Sequence, residues 1–153
     1  MAATRFRTGP VHPSPESDVV VVHCSDPRYQ PHFQEFLRTG LGLERYALVA
    51  VPGGPQFLTL AEYLPKFSWV GWRWIKFLVD QSRPRRVILI VHDDCLWYRD
   101  LRFWQHGGDW KGAALSDLAK VRDGLRARFG SLSVETYFAR IDGGEVVFEA
   151  VGS

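Results

Sequence analysis

Asp18-Val19-Val20-Val21-Val22-His23-Cys24-Ser25-Asp26-Pro27-Arg28 decides how the rest of the chain is read. Residues 18–22 are a short β-branched run, the composition of a strand covered on both faces within a parallel sheet. Such a strand delivers Cys24, Asp26 and Arg28 at its carboxyl end. A second stretch repeats the layout: Arg86-Val87-Ile88-Leu89-Ile90-Val91 runs straight into His92-Asp93-Asp94-Cys95. Between them the two stretches hold both cysteines of the chain.

Working outward, Pro31–Leu37 reads as a short helix with Gly40 just past its end. Tyr46–Val51 reads as another buried strand, halted by Pro52-Gly53-Gly54-Pro55, a turn with two positions that tolerate positive φ. Phe57–Tyr63 reads as a helical turn broken by Pro65. Lys66–Gln81 is a longer helix, apolar around most of its circumference, which predicts cover on more than one side, by the sheet and by a second subunit. The aromatic stretch 93–110 shows no period. Ala113–Phe129 is an amphipathic helix with Leu115, Leu118, Val121 and Leu125 at spacings of three and four. Leu132–Phe138 and Glu145–Ala150 read as strands joined in a hairpin at Asp142-Gly143-Gly144. Strands separated by helices imply an α/β fold, with a mostly parallel central sheet of four to five strands flanked by helices. Residues 1–17, broken by Pro10, Pro13 and Pro15, read as a flexible arm, and residues 18–153 as a single α/β domain.

At 153 residues the chain has the usual size of one domain, and 46% hydrophobic with 24% charged residues is ordinary for a soluble protein. A net charge of +2 is too balanced to argue for nucleic acid, and Arg83-Pro84-Arg85-Arg86 reads as a solvated loop. No apolar run approaches the ~18 residues of a membrane span. Residues 1–15 lack the apolar core of a signal peptide, so a cytoplasmic, reducing setting is expected. There, two cysteines more often mean metal or reactivity than a disulfide.

His92-x-x-Cys95 places an imidazole and a thiol three residues apart, facing the same way on a first helical turn or tight loop. If the strands before them are neighbours, Cys24 joins from the next strand end. Ligands of parallel sheets gather in that crevice, where strand order reverses. Two thiolates and one imidazole suit Zn2+ in tetrahedral geometry and leave a fourth position for water, as in catalytic zinc sites. Water held there is acidified towards neutral pH and becomes a nucleophile. On the residues alone, either cysteine also reads as a small inert core residue. Phosphatase chemistry is excluded, because three residues rather than five separate Cys24 from Arg28 and Asp26 would repel a phosphate. A cysteine consumed as a metal ligand is no thiol nucleophile.

These motifs resemble those of the β-class carbonic anhydrases, which have Cys-x-Asp-x-Arg after the first strand and His-x-x-Cys after the third. Here they are Cys24-Ser25-Asp26-Pro27-Arg28 and His92-Asp93-Asp94-Cys95, and the order of elements agrees from Asp18 to Ala150. The resemblance implies a zinc enzyme that reversibly hydrates CO2 to bicarbonate by zinc-bound hydroxide, working as a homodimer or a multiple of dimers. It makes Cys24, His92 and Cys95 the metal ligands and Asp26 and Arg28 the catalytic dyad. A carboxylate that close could itself fill the fourth position. A guanidinium two residues on can hold it off by a bidentate pair and free it to orient the nucleophile. Without a metal, Asp26 and Arg28 read as a structural ion pair. The chain departs from the family at Pro27, where Ser is usual. Val51-Pro52-Gly53-Gly54 replaces Arg-Asn-Ala-Gly, and Val91 and Leu96 flank His-x-x-Cys in place of glycines. Two alternatives therefore stand beside CO2: a related cumulene such as COS or CS2, and a zinc-binding pseudoenzyme acting as a binding or regulatory module through Trp97, Trp104 and Trp110. His12, His23, His32 and His106 are read as surface or loop histidines.

Overall fold

Val19–Cys24 forms strand β1, and all six of its residues are buried. A strand with no polar face has to be covered on both sides. The computed structural model, which describes residues 6–59, 65–100 and 108–152, shows how. The other strands are β2 (Ala47–Val51), β3 (Arg86–His92), β4 (Ser133–Asp142) and β5 (Glu145–Ala150). They form one sheet in the order β2-β1-β3-β4-β5. β1 runs parallel to β2 and β3, β3 runs parallel to β4, and β5 is antiparallel to β4. The expected α/β architecture is the observed one, with five strands.

The helices are α1 (Gln30–Glu35), α2 (Pro65–Ser82), α3 (Leu96–Asp100) and α4 (Trp110–Arg128). From β1 the chain steps to β2 on one side, then crosses back to β3 and on to β4. Right-handed crossovers in opposite directions put their helices on opposite faces. So α1 covers one face, and α2 with α4 covers the other. Side chains agree: Phe33 of α1 meets His23, His92 and Phe148, whereas the Arg128 guanidinium of α4 lies 3.8 Å over the Trp72 ring of α2. Burying each valine of β1 contributes roughly 1.5–3 kcal/mol relative to exposure, so the apolar run that marked the strand also anchors the core.

Two tight turns are set by glycine. Gly143 and Gly144, with φ of 58° and 86°, close the β4–β5 hairpin between the paired Asp142 and Glu145, the geometry of a two-residue hairpin loop. After β2, Gly53 and Gly54 also have positive φ. A Cβ on Gly54 would lie 2.9 Å from the Cys24 backbone nitrogen, and one on Gly53 would overlap the Trp97 indole. The Pro-Gly-Gly-Pro turn thus lets the end of β2 press against the site.

Several expectations are corrected. β2 is an edge strand, not a doubly covered one: Leu48 and Ala50 face solvent. Apolar composition alone cannot tell an edge strand from a central one. The helix expected from Pro31 starts at Gln30 and passes into a π-turn at Phe36–Gly40. Of Phe57–Tyr63, Phe57 and Leu58 belong to a 3-10 turn at Gly54–Leu58, and residues 60–63 lie outside the described residues. The stretch after Cys95 holds a short helix, α3, where no period was visible. Trp104 and His106 lie outside the described residues. His12 and His32 are exposed, but His23 is buried inside β1, its ring 4.6 Å from that of Phe33. The helix α2 leaves Trp69 exposed, and Trp74 and Phe77 exposed beside the β2 edge. Residues 6–17 carry no regular element, and the Ser17 amide donates to Ser82 O at 3.0 Å.

Candidate metal centre

The sheet order makes β1 and β3 neighbours, so the two sequence stretches meet beyond their carboxyl ends. Each turn is built locally. Asp26 accepts the Arg28 amide on its Oδ1 at 2.9 Å, and its carbonyl accepts the Tyr29 amide at 3.1 Å. This is a β-turn with Asp at its first position and Pro27 at its second, where the fixed proline φ fits and no N–H is needed. After β3, the Asp93 amide donates to Ala139 O at 2.8 Å, tying the turn to β4. Asp94 then takes a φ of 53° and aims Cys95 back towards Cys24.

Cys24, His92 and Cys95 each present a donor atom, all within 4.8 Å of one another, and all three residues are buried. The two Sγ atoms are 4.0 Å apart. Tetrahedral Zn–S bonds of about 2.3 Å place two thiolates roughly 3.8 Å apart, so the spacing suits one ion. His92 Nδ1 donates to the Asp93 carbonyl at 2.7 Å, which leaves Nε2 as the atom with a free lone pair. That Nε2 is buried with no hydrogen-bond partner among the described residues. A buried polar atom without a partner is costly, and a metal bond would satisfy it. The donor set and the orphaned nitrogen together fit a bound zinc ion.

The thiols are strongly unequal. A hydrogen bond from Cys95 holds the Cys24 pKa well below the usual thiol value, while the same contact, with burial, pushes Cys95 well above it. The first thiolate therefore opposes the second, and a divalent cation between them is what would let both ionise.

Asp26 lies outside this cluster and faces Arg28. Arg28 Nη2 donates to Asp26 Oδ2 at 2.7 Å, and Nε reaches Oδ1 and Oδ2 at 3.1 and 3.2 Å. This hydrogen-bonded guanidinium holds the Asp26 carboxyl below the usual carboxylate range, against the opposing effect of burial. Every sequence-derived candidate is thus gathered at one place. A cavity of about 280 Å³ opens there, with Pro27, Pro52, Leu96 and Trp97 as its apolar walls.

Sequence reasoning missed two features. The first is the Trp97 clamp: Trp97 Nε1 donates to Gln56 Oε1, Gln56 Nε2 donates to Asp117 Oδ2 at 3.3 Å, and Tyr98 donates to the same oxygen at 2.9 Å. Its only sequence signal is a polar Gln56 before the apolar Phe57-Leu58. The second is Asp94, a position of His-x-x-Cys that the motif leaves without a role, which binds the outer side of Arg28.

No family model matches the chain, and no curated protein matches it. Solved structures do. A carbonic anhydrase from Glaciozyma antarctica superposes with a TM-score of 0.56 at 17% identity, covering 92% of this chain and 86% of that one. The β-carbonic anhydrase isoform I of Trichomonas vaginalis gives 0.54 at 12% identity, covering 93% and 87%. Tetrameric β-carbonic anhydrases from Sordaria macrospora give 0.54 at 13% identity, covering 92% and 82%. Over nine-tenths of its length, and at low sequence identity, this chain has the fold of the β-carbonic anhydrases.

Proposed function

We propose that the protein is a zinc-dependent lyase of the carbonic anhydrase type, hydrating CO2 reversibly to bicarbonate. The observation that carries this is the convergence of Cys24, His92 and Cys95 around an unpartnered His92 Nε2, with Asp26 held to one side by Arg28. Cys24 Sγ, His92 Nε2 and Cys95 Sγ would hold the ion. Zinc bound there supplies an acidified water as nucleophile near neutral pH. Asp26, kept ionised by Arg28, accepts a hydrogen bond from the attacking water and orients it towards the carbon of CO2. Arg28 keeps Asp26 from taking the fourth position. The apolar walls at Pro27, Pro52, Leu96 and Trp97 exclude bulk water and admit a small neutral molecule. Stopped-flow CO2 hydration on zinc-loaded protein tests this reading: catalysis above buffer is expected, and a buffer-level rate with zinc bound overturns it.

Those walls also favour a second substrate of the same shape, COS or CS2, which a sulfide-release assay separates from CO2. The exposed Trp74, Phe77 and Leu48 beside the β2 edge support homo-oligomerisation, as does the tetrameric state of the Sordaria macrospora proteins. Light scattering of the purified protein checks it.

A further inference from the structure

Arg28 is held from two sides. Its Nε and one Nη2 hydrogen grip Asp26, Nη1 donates to Asp94 Oδ2 at 3.0 Å, and Nη2 donates to the Asp94 backbone carbonyl at 2.9 Å. Four of its five N–H groups are thereby used by two residues, one from each strand end. The Arg28 side chain is 45% exposed, whereas that of Asp26 is 7% exposed. A half-exposed guanidinium with one partner on its inner side is free to turn towards water, and exposed ion pairs are weak. Asp94 supplies the outer anchor, and the Arg99 guanidinium lies beside it as an ion pair, Nη2 2.5 Å from Asp94 Oδ1 but without hydrogen-bond geometry. The row Asp26–Arg28–Asp94–Arg99 alternates in sign and sums to zero charge.

The backbone at Asp94 sharpens the point. A φ of 53° suits glycine, and a side chain there costs on the order of 1 kcal/mol. If the turn alone mattered, glycine would serve better. A carboxylate nonetheless stands at this strained position, and it is what reaches Arg28.

We propose that Asp94 is a positioning residue: it fixes the Arg28 guanidinium in the orientation that keeps Asp26 off the metal, and so holds the fourth coordination position open. This rests on the metal site proposed above. When Asp94 loses its carboxylate, Arg28 swings outward, Asp26 is released, and its carboxylate closes the position. The electrostatic expectation is opposite in sign, because removing a negative charge beside a cation should by itself strengthen anion binding.

Cobalt(II)-substituted protein distinguishes the two, with thiocyanate as the probe of the open position and the visible cobalt bands as the readout. In wild type, one cobalt per chain with thiolate charge-transfer bands and saturable thiocyanate binding are expected. Asp94→Gly relieves the backbone and keeps the carbonyl contact, and Asp94→Asn keeps the side-chain shape. Both should retain cobalt and its charge-transfer bands yet bind thiocyanate about tenfold or more weakly. Adding Asp26→Asn to Asp94→Gly should restore thiocyanate affinity, because the competing carboxylate is gone. Affinity unchanged or improved in both Asp94 variants overturns the proposal. So does a weakening that Asp26→Asn fails to rescue, or loss of cobalt from both single variants, which would make Asp94 a purely structural residue. A wild-type chain that takes up no cobalt refutes the metal reading, and this inference with it.

Discussion

The two ends of the parallel strands carry similar groups and are built for different things. At the amino ends lies the larger cavity, about 650 Å³, lined by Glu16, Asp18, Arg45, Arg83 and Arg85 among others. Its ion pairs are open to water: Arg85–Asp18 is 3.7 Å long with side chains 87% and 77% exposed. At the carboxyl ends the cavity is less than half that size, yet Cys24, His92 and Cys95 are buried within reach of one another. There, the hydrogen bonds from Cys95 and Arg28 hold Cys24 and Asp26 below their ordinary values against the opposing effect of burial, and an imidazole nitrogen is left without a partner among the described residues. Size and charge do not make a site. Convergence of coupled groups out of water does, and parallel strands provide it at the end where the strand order reverses.

The largest test of that contrast is removal of a thiolate. Cys24→Ser or Cys95→Ser should reduce zinc from one per chain to well below stoichiometric by elemental analysis, and should abolish the rise in melting temperature that added zinc gives the wild type. Next in size, Asp26→Asn should keep its zinc and lose CO2 hydration by about 100-fold, since orientation and not ligation is removed. Full activity in that variant would refute the role given to the dyad.

The same carboxylate sets a pH dependence. Its folded pKa is depressed by Arg28, so its contribution to stability is present above the ordinary aspartate value of about 3.9 and disappears as pH falls through the lower folded value. Urea midpoints of wild type and Asp26→Asn should therefore differ at pH 7 and converge as pH falls below the depressed folded value. At the other end of the sheet, Asp18→Ala should change stability by less than about 1 kcal/mol and leave zinc content untouched. An effect there as large as that of Asp26→Asn would erase the distinction between the two ends. The smallest effect has a reversed sign. Tyr29 has a buried hydroxyl with no partner among the described residues, its ring 4.1 Å from that of His92. Tyr29→Phe should be neutral or stabilising by up to about 1 kcal/mol in thermal melts.

Most of what positions the site was legible in the chain. Val19–Val22 and Val87–Val91 are β-branched or leucine throughout, which marks both runs as strands, so β1 and β3 and their carboxyl ends could be located. The Cys24, His92, Cys95, Asp26 and Arg28 pattern then needed only adjacency of those strands. What stayed hidden depends on tertiary placement. Leu48 is as apolar as the residues of β1, and only strand order exposes it. His23 looked like a loop residue because it adjoins the site, yet it continues β1 and stacks on Phe33. Gln56 and Asp117 are 61 residues apart, and nothing local announces their hydrogen bond. Asp94 stands between two candidate ligands, but its hold on Arg28 crosses from one strand end to the other.

The central claim is that these two strand ends hold a zinc ion with three protein ligands and an open fourth position. A crystal structure of the zinc-loaded protein at neutral pH, with the ion identified by anomalous scattering, tests it most directly. Zinc bound by Cys24 Sγ, His92 Nε2 and Cys95 Sγ, with water in the fourth place and Asp26 on Arg28, is the expected result. Zinc closed by Asp26 as a fourth protein ligand, or zinc absent from this triad, would contradict it.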